Sequence, residues 1–123
     1  MRPNHKILFV DDEPHVLSAV SRHLRREFEV VTACGAEAGM SALQNEGPFS
    51  VIVADMQMPG MDGIEFLQHA ERLQPGAIRI MLTGNADVET RRRAESEASI
   101  ARFLHKPCTP ADLMHALQSA LAA

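Results

Sequence analysis

Asp11 and Asp12 follow the apolar run Ile7 to Val10, Asp55 follows Val51 to Ala54, Thr83 follows Ile80 to Leu82, and Lys106 comes just after Phe103 and Leu104. Carboxylates can bind a hard cation, or one can attack phosphorus and form an acyl phosphate. A hydroxyl and an ammonium can hold the oxygens of a phosphoryl group. Taken singly, a strand-end Asp is usually a cap and a lone Lys is usually solvated, so the joint placement carries the weight. Lys106 adds to it as one of two lysines against ten arginines.

Unbroken apolar runs of this kind fit strands buried on both faces of a parallel sheet. In such a sheet ligands sit in the crevice outside the carboxyl ends, so residues almost a hundred positions apart would converge. Helical patterns separate the runs. Val16, Leu17, Val20 and Leu24 predict a helix from about Pro14 to Glu27, with Pro14 in the first turn. Phe28 to Ala33 reads as a strand, and Ala36, Met40 and Leu43 mark a second helix, with Gly39 a weak point, stopped by Gly47-Pro48.

After the Asp55 strand, Pro59-Gly60 suits a turn, and Asp62 can cap a helix carrying Ile64, Leu67, Ala70 and Leu73. Pro75-Gly76 closes it. A poorly amphipathic segment from Ala86 to Ala98 separates the last two strands. A final helix has Thr109 as cap, Pro110 in its first turn and Leu113, Leu117 and Leu121 as its buried stripe. Five strands alternating with five helices, joined by short connections, indicate an α/β, doubly wound parallel sheet rather than a sandwich or bundle.

At 123 residues the chain is one domain, 1–123, large enough for a core without metal or disulfide staples. Its formal charge of -4, without Trp or Tyr, argues against direct nucleic-acid binding. The basic stretch Arg91 to Arg93 is offset by Asp87, Glu89, Glu95 and Glu97 and reads as a solvated helix face. No run is long enough to span a bilayer and no signal-peptide core precedes Asp11, so the expected location is cytoplasmic, with no membrane partner. Cys34 and Cys108 lack metal-ligand spacing and read as inert thiols. The six histidines, at 5, 15, 23, 69, 105 and 115, form no pair at zinc spacing.

Asp11, Asp12 and Asp55 together repel one another, which raises their proton affinity and destabilises the metal-free fold. Neutralising Asp55 is therefore expected to stabilise that fold. Oxygen-only ligands beside a phosphoryl group suit Mg²⁺. Asp55, alone at the end of the central run, is the best nucleophile, with Asp11 and Asp12 suited to the metal and its water. No nucleotide-binding loop is present, and Pro59 and Phe66 stand where a calcium loop needs oxygen ligands. Gln57 stands where a haloacid-dehalogenase phosphatase needs its second Asp.

Ile7 to Pro14, Val53 to Gly63, Leu82-Thr83-Gly84 and Phe103 to Pro107, in this order and spacing, make the chain similar to the receiver domain of bacterial response regulators. The resemblance implies a doubly wound (βα)5, flavodoxin-like fold of strand order 2-1-3-4-5 with helices on both faces, and that Asp55 accepts a phosphoryl group from a sensor histidine kinase or phosphotransfer protein. It further implies that Asp12, Asp55 and the Gln57 carbonyl bind Mg²⁺ while Asp11 helps through water. Thr83 and Lys106 would engage the phosphoryl group, Phe103 would turn inward as Thr83 moves, and the Lys106-Pro107 bond would be cis. Gln57 and Asn85 occupy the positions that tune acyl-phosphate hydrolysis.

A Phe at 103 lacks the hydroxyl of the Tyr often found there. The expected role is a switch that catalyses only its own phosphorylation and dephosphorylation, the alternative being a constitutive interaction module. The run Arg79 to Asp87 with Lys106-Pro107-Cys108 looks similar to receivers fused to HD-type output domains, and an output domain beyond Ala123 is a candidate partner. The segment Ala86 to Ile100 offers little apolar area and is expected to be the mobile element of the switch. Its mixed charges suit a weak homodimer on phosphorylation, through the face formed by the fourth helix, fifth strand and fifth helix.

Overall fold

The computed structural model describes residues 5–84 and 88–122. Along the chain run β1 (Lys6–Asp11), α1 (Pro14–Leu24), β2 (Glu29–Cys34), α2 (Ala36–Asn45), β3 (Val51–Asp55), α3 (Gly63–Leu73), β4 (Ile78–Thr83), α4 (Val88–Ala98), β5 (Arg102–His105) and α5 (Pro110–Ala122). The strands pair in parallel in the order β2-β1-β3-β4-β5. This is the doubly wound sheet that the alternating pattern predicts, in the flavodoxin-like order that the family resemblance implies. The chain leaves β1 in one direction to reach β2 and returns to its other side with β3, so a crevice opens at the carboxyl ends of β1 and β3.

The two central strands are continuous apolar runs because both their faces are covered. Ile7 to Val10 and Val51 to Ala54 are all buried. On one face, Ile7, Phe9, Val51 and Val53 pack with Leu17, Val20 and Leu24 of α1 and Leu113 and Leu117 of α5. On the other, Leu8, Val10, Ile52 and Ala54 pack with α2, α3 and α4. There Gly39 of α2, the weak point of the sequence reading, has a reason. A Cβ on it would stand 2.7 Å from the Phe66 ring.

Several boundaries differ from the sequence expectation. α1 ends at Leu24 rather than near Glu27; Arg25 to Glu27 form a turn in which the Phe28 N–H donates to the Leu24 carbonyl at 3.0 Å. That turn carries Phe28 into the core instead of into β2, which starts at Glu29. In α5, Leu121 is only half-buried, and Ala116 and Ala120 complete the stripe with Leu113 and Leu117. The caps stand as expected. Asp62 Oδ1 accepts from the Glu65 amide at 2.9 Å. Thr109 Oγ1 accepts from the Asp112 amide at 3.0 Å, and Asp112 Oδ2 accepts in return from the Thr109 amide at 3.2 Å.

The end of the sheet away from the crevice is closed by Gln74, just past α3. Its Oε1 accepts from the Phe49 amide at 2.7 Å and its Nε2 donates to the Leu43 carbonyl at 2.8 Å. One side chain thereby joins the end of α2, the approach to β3 and the end of α3. Gln74→Ala strands a donor and an acceptor that are largely shielded from water, which costs about 1–3 kcal/mol. Urea denaturation of this variant is expected to show a lower midpoint at unchanged slope, with the carboxyl-end crevice unaffected.

Candidate phosphoacceptor site

Asp11 ends β1, Asp55 ends β3 and Thr83 ends β4, and all three are buried. Asp12 follows β1 and is exposed, and Lys106 follows β5. One carboxylate oxygen from each of Asp11, Asp12 and Asp55 lies within 4.8 Å of the others. The Lys106 ammonium donates to Asp55 Oδ2 at 2.7 Å and stands 4.0 Å from Asp11 Oδ2. The convergence that the strand ends predict is therefore present.

Local backbone turns hold the acids. The Glu13 amide donates to Asp11 Oδ1 at 3.0 Å, and the Gln57 amide donates to Asp55 Oδ1 at 3.2 Å. Each Asp thus uses one oxygen to fix its own turn and points the other at the site. Lys106 takes the free oxygen of Asp55. Asp11 Oδ2 is buried and has no hydrogen-bond partner. An orphaned buried oxygen amid three carboxylates is what a hard cation satisfies, so the donor set fits Mg²⁺.

Electrostatics agree with that arrangement. Burial above all pushes the Asp11 carboxyl up from its ordinary value, and the charges of Asp55 and Asp12 add to this, against the Glu13 amide and Lys106. For Lys106, burial pulls downward, but the hydrogen bond and charge of Asp55, with Asp11, outweigh it and the ammonium is raised. Asp55 and Asp11 therefore share one firmly charged cation.

Gly63, the first residue of α3, allows the site its closest packing. A Cβ there would meet the Asp55 carbonyl oxygen at 2.6 Å and the Met56 Cα at 2.8 Å. The Gly63 amide donates to the Met56 carbonyl at 2.9 Å, which ties α3 to the strand end. The sequence reading took Gly63 as part of a motif without this steric role. The signal was there in a glycine directly after the capping Asp62.

The remaining residues fall as follows. Gln57 is exposed beside Asp55, and Phe103 is half-buried against the core on the α4 side. The Lys106-Pro107 bond is cis, and so is Gly47-Pro48, which the sequence reading did not anticipate. Asn85 lies outside the described residues. A cavity of about 450 Å³ adjoins the acids, lined by Asp11, Glu13, Val16, Leu82, Lys106, Pro107 and Cys108. Burial pushes the Cys108 thiol up, which keeps it protonated and inert. Cys34 is exposed, with Sγ 3.7 Å from the Asp12 carbonyl oxygen.

Comparison with known proteins is decisive, because the model of the response regulator receiver domain matches residues 7–118. The chain belongs to that family. The hydrogenase transcriptional regulatory protein HoxA of Cupriavidus necator is 35% identical over 117 residues, 95% of this chain and 24% of that protein. A solved structure described as adenylate cyclase from Rhodopirellula baltica matches with TM-score 0.88 and 39% identity, over 97% of this chain and 88% of that one. The signal receiver domain of an HD domain-containing protein from Pseudomonas fluorescens matches with TM-score 0.86 and 28% identity, over 99% and 96% of the two chains. The chain spans about a quarter of the length of the first curated relatives it matches. Among the described residues, no helix is long and apolar enough to cross a membrane.

The receiver's acidic pocket yields a pH prediction centred on Asp11. Lys106 lies 2.7 Å from Asp55 and 4.0 Å from Asp11, so of the two buried acids Asp11 is the less compensated. Folded Asp11 holds its proton more tightly than the unfolded chain, whose ordinary value is 3.8. Stability from this group is therefore present at low pH and lost as pH rises through the raised folded value. Asp11→Asn is expected to melt higher than the parent at pH 7 without metal. That advantage should vanish as pH falls below the unfolded value, and millimolar Mg²⁺ should raise the parent's midpoint but not the variant's.

Proposed function

We propose that residues 1–123 form the phosphoacceptor receiver unit of a two-component response regulator, with Asp55 as acceptor. The observation that carries the reading is the pairing of buried Asp55 with Lys106 at 2.7 Å beside the orphaned Asp11 oxygen. Asp55 Oδ attacks the phosphorus of a phosphohistidine on a sensor kinase or phosphotransfer protein. The P–N bond breaks, the imidazole nitrogen keeps the electron pair, and Asp55 becomes an acyl phosphate. Mg²⁺ held by Asp11, Asp12, Asp55 and the Gln57 carbonyl would screen the charge on the phosphoryl oxygens.

Lys106, already poised on the acceptor oxygen, passes to a phosphoryl oxygen, and the Thr83 hydroxyl holds another. The cavity beside Asp11 and Lys106 leaves room for the donor. Phe103, on the α4 side of the sheet, follows Thr83 inward, and the α4, β5 and α5 face carries the change to an output domain or partner in the cytoplasm. Gln57 and Asn85 set the lifetime of the acyl phosphate. The family resemblance supports these roles, and the HD-type likeness makes one class of output a candidate.

Incubation with acetyl phosphate and Mg²⁺ is expected to add one phosphoryl group, mapped to Asp55 by mass spectrometry. Full labelling of Asp55→Asn would remove Asp55 as acceptor, and no labelling of the parent would favour the interaction module. Lys106→Ala should spare labelling more than the conformational response.

Beryllofluoride activation is expected to produce a weak homodimer. Arg92 pairs with Glu89 at 2.7 Å and Arg93 with Glu97 at 3.2 Å within α4, so an intermolecular contact must compete with these pairs. Light scattering should show the dimer loosening as salt rises and in Arg92→Glu. A monomer in every condition would leave an external partner as reader of this face.

A further inference from the structure

α1 carries a block of positive charge with no use in the carboxyl-end crevice. The stretch Pro14 to Arg26 contains Arg22, Arg25 and Arg26 and neither Asp nor Glu, in a chain whose formal net charge is -4. Elsewhere arginines meet acids: Arg79 lies 3.8 Å from Glu71, Arg92 2.7 Å from Glu89 and Arg93 3.2 Å from Glu97. Among the described residues, Arg22 and Arg25 enter no ion pair. A cation in the last turn of a helix complements its dipole, and that alone would account for one of them. It does not account for what stands opposite.

A cleft of about 360 Å³ runs between α1 and β2, lined by Leu17, Ser18, Ser21, Arg22, Arg25 and Thr32. Ser18, Ser21, Arg22 and Arg25 follow the i, i+3, i+4, i+7 spacing that sets side chains along one stripe of a helix. That stripe lies beside the buried one of Leu17, Val20 and Leu24. Thr32 supplies the opposite wall. It pairs in register with Phe9, which packs in the core with α1, so Thr32 projects to the α1 side of the sheet. β2 is an edge strand, and no further strand closes the cleft on that side. Two guanidinium groups and three hydroxyls therefore line one space, and no carboxylate lines it.

We propose that this cleft between α1 and β2 binds a phosphate monoester, held by the guanidinium groups of Arg22 and Arg25 and by the hydroxyls of Ser18, Ser21 and Thr32. A guanidinium fork matches two oxygens of a tetrahedral anion, and the three terminal oxygens of a phosphate ester accept more bonds than a carboxylate offers. The cleft is larger than a bare anion, so a short organic group has room beside Leu17. The domain as a whole repels anions, and affinity at this place has to come from the cleft itself. Nothing here depends on Asp55. The arginines stand at the end of α1 remote from Asp11, and the site binds without a metal.

Amide NMR titration of the intact chain with glycerol phosphate, in EDTA and at fixed ionic strength, tests the site. Amides of residues 18–25 and of Thr32 should shift saturably, while those of Asp11, Asp55 and Thr83 should not. Arg22→Gln and Arg25→Gln should each weaken binding about five- to ten-fold, as expected for loss of a charge-assisted pair. Thr32→Val should weaken it about three-fold. Arg26→Gln removes the same charge from a residue that does not line the cleft, and should change the affinity less than about two-fold. All three arginines are exposed, so the variants should melt with the parent, which separates lost binding from lost folding.

Sedimentation with phosphatidylcholine vesicles, with and without phosphatidic acid, separates the two sources of the group. Pelleting that needs phosphatidic acid and is lost in Arg22→Gln would assign a lipid headgroup; binding of glycerol phosphate without pelleting would assign a free ester, and either result supports the site. Three results would overturn it. The first is no saturable shift together with no Arg22-dependent pelleting. The second is equal weakening by Arg26→Gln, which would reduce the effect to diffuse charge. The third is acetate binding as tightly as glycerol phosphate, which would make the cleft a carboxylate site.

Discussion

Three carboxylates and one ammonium meet where strands of a parallel sheet end, and the sheet's central position makes that meeting costly. β1 and β3 are buried on both faces, so Asp11 and Asp55 at their ends are carried out of water with them. Charge in such a place demands partners. The chain supplies one amide to each buried acid, from Glu13 and Gln57, and one cation, Lys106. Among the described residues it leaves Asp11 Oδ2 without a hydrogen bond, with the Lys106 ammonium 4.0 Å away. The metal-free domain is therefore electrostatically unfinished, and its cluster of carboxylate oxygens is a donor set that fits a divalent ion.

The neighbouring structure follows from holding that deficit open. Gly63 lets α3 begin against the Asp55 carbonyl, and the Asp62 cap fixes the direction in which α3 leaves. Farther away, Gln74 closes the opposite end of the sheet with bonds to two separate segments. The base is stabilised by satisfied polar groups and the crevice end is left with an unsatisfied one. A domain built this way can change at one end without loosening at the other. The output that reads the change is a separate matter, since similar chains are described as a transcriptional regulator, an adenylate cyclase and an HD domain-containing protein.

Much of this was legible in the sequence because strand ends are easy to read. Apolar runs of three or four residues marked β1, β3 and β4, and the polar residue after each run was necessarily at the carboxyl edge. The capping roles of Asp62 and Thr109 also follow from local spacing. Harder to read were the contacts that depend on how helices pack across the sheet. Arg79 sits inside an apolar strand and looks like an interruption, yet its long side chain runs to the ends of two helices. Gln74 looks like part of a helix-ending turn. Arg91 is one of three consecutive arginines, and only the packing distinguishes the one above Phe103. The pairing of Lys106 with Asp55 at 2.7 Å, closer than with Asp11 at 4.0 Å, has the same origin, because it is set by position and not by residue type.

The alanines of α4 bear on speed. Ala94 and Ala98 are the fully buried side chains through which that helix rests on the domain, and each ends in a single methyl group. Larger side chains interlock as ridges in grooves, and a helix held by them can shift only if rotamers change in concert. Methyl groups have no rotamers to exchange. A helix resting on two of them would meet little steric friction in a shift, whose rate would then depend on the breaking of a few polar contacts at its edges. Replacing Ala94 by Leu would do more than crowd the core: it would turn a smooth bearing surface into a toothed one.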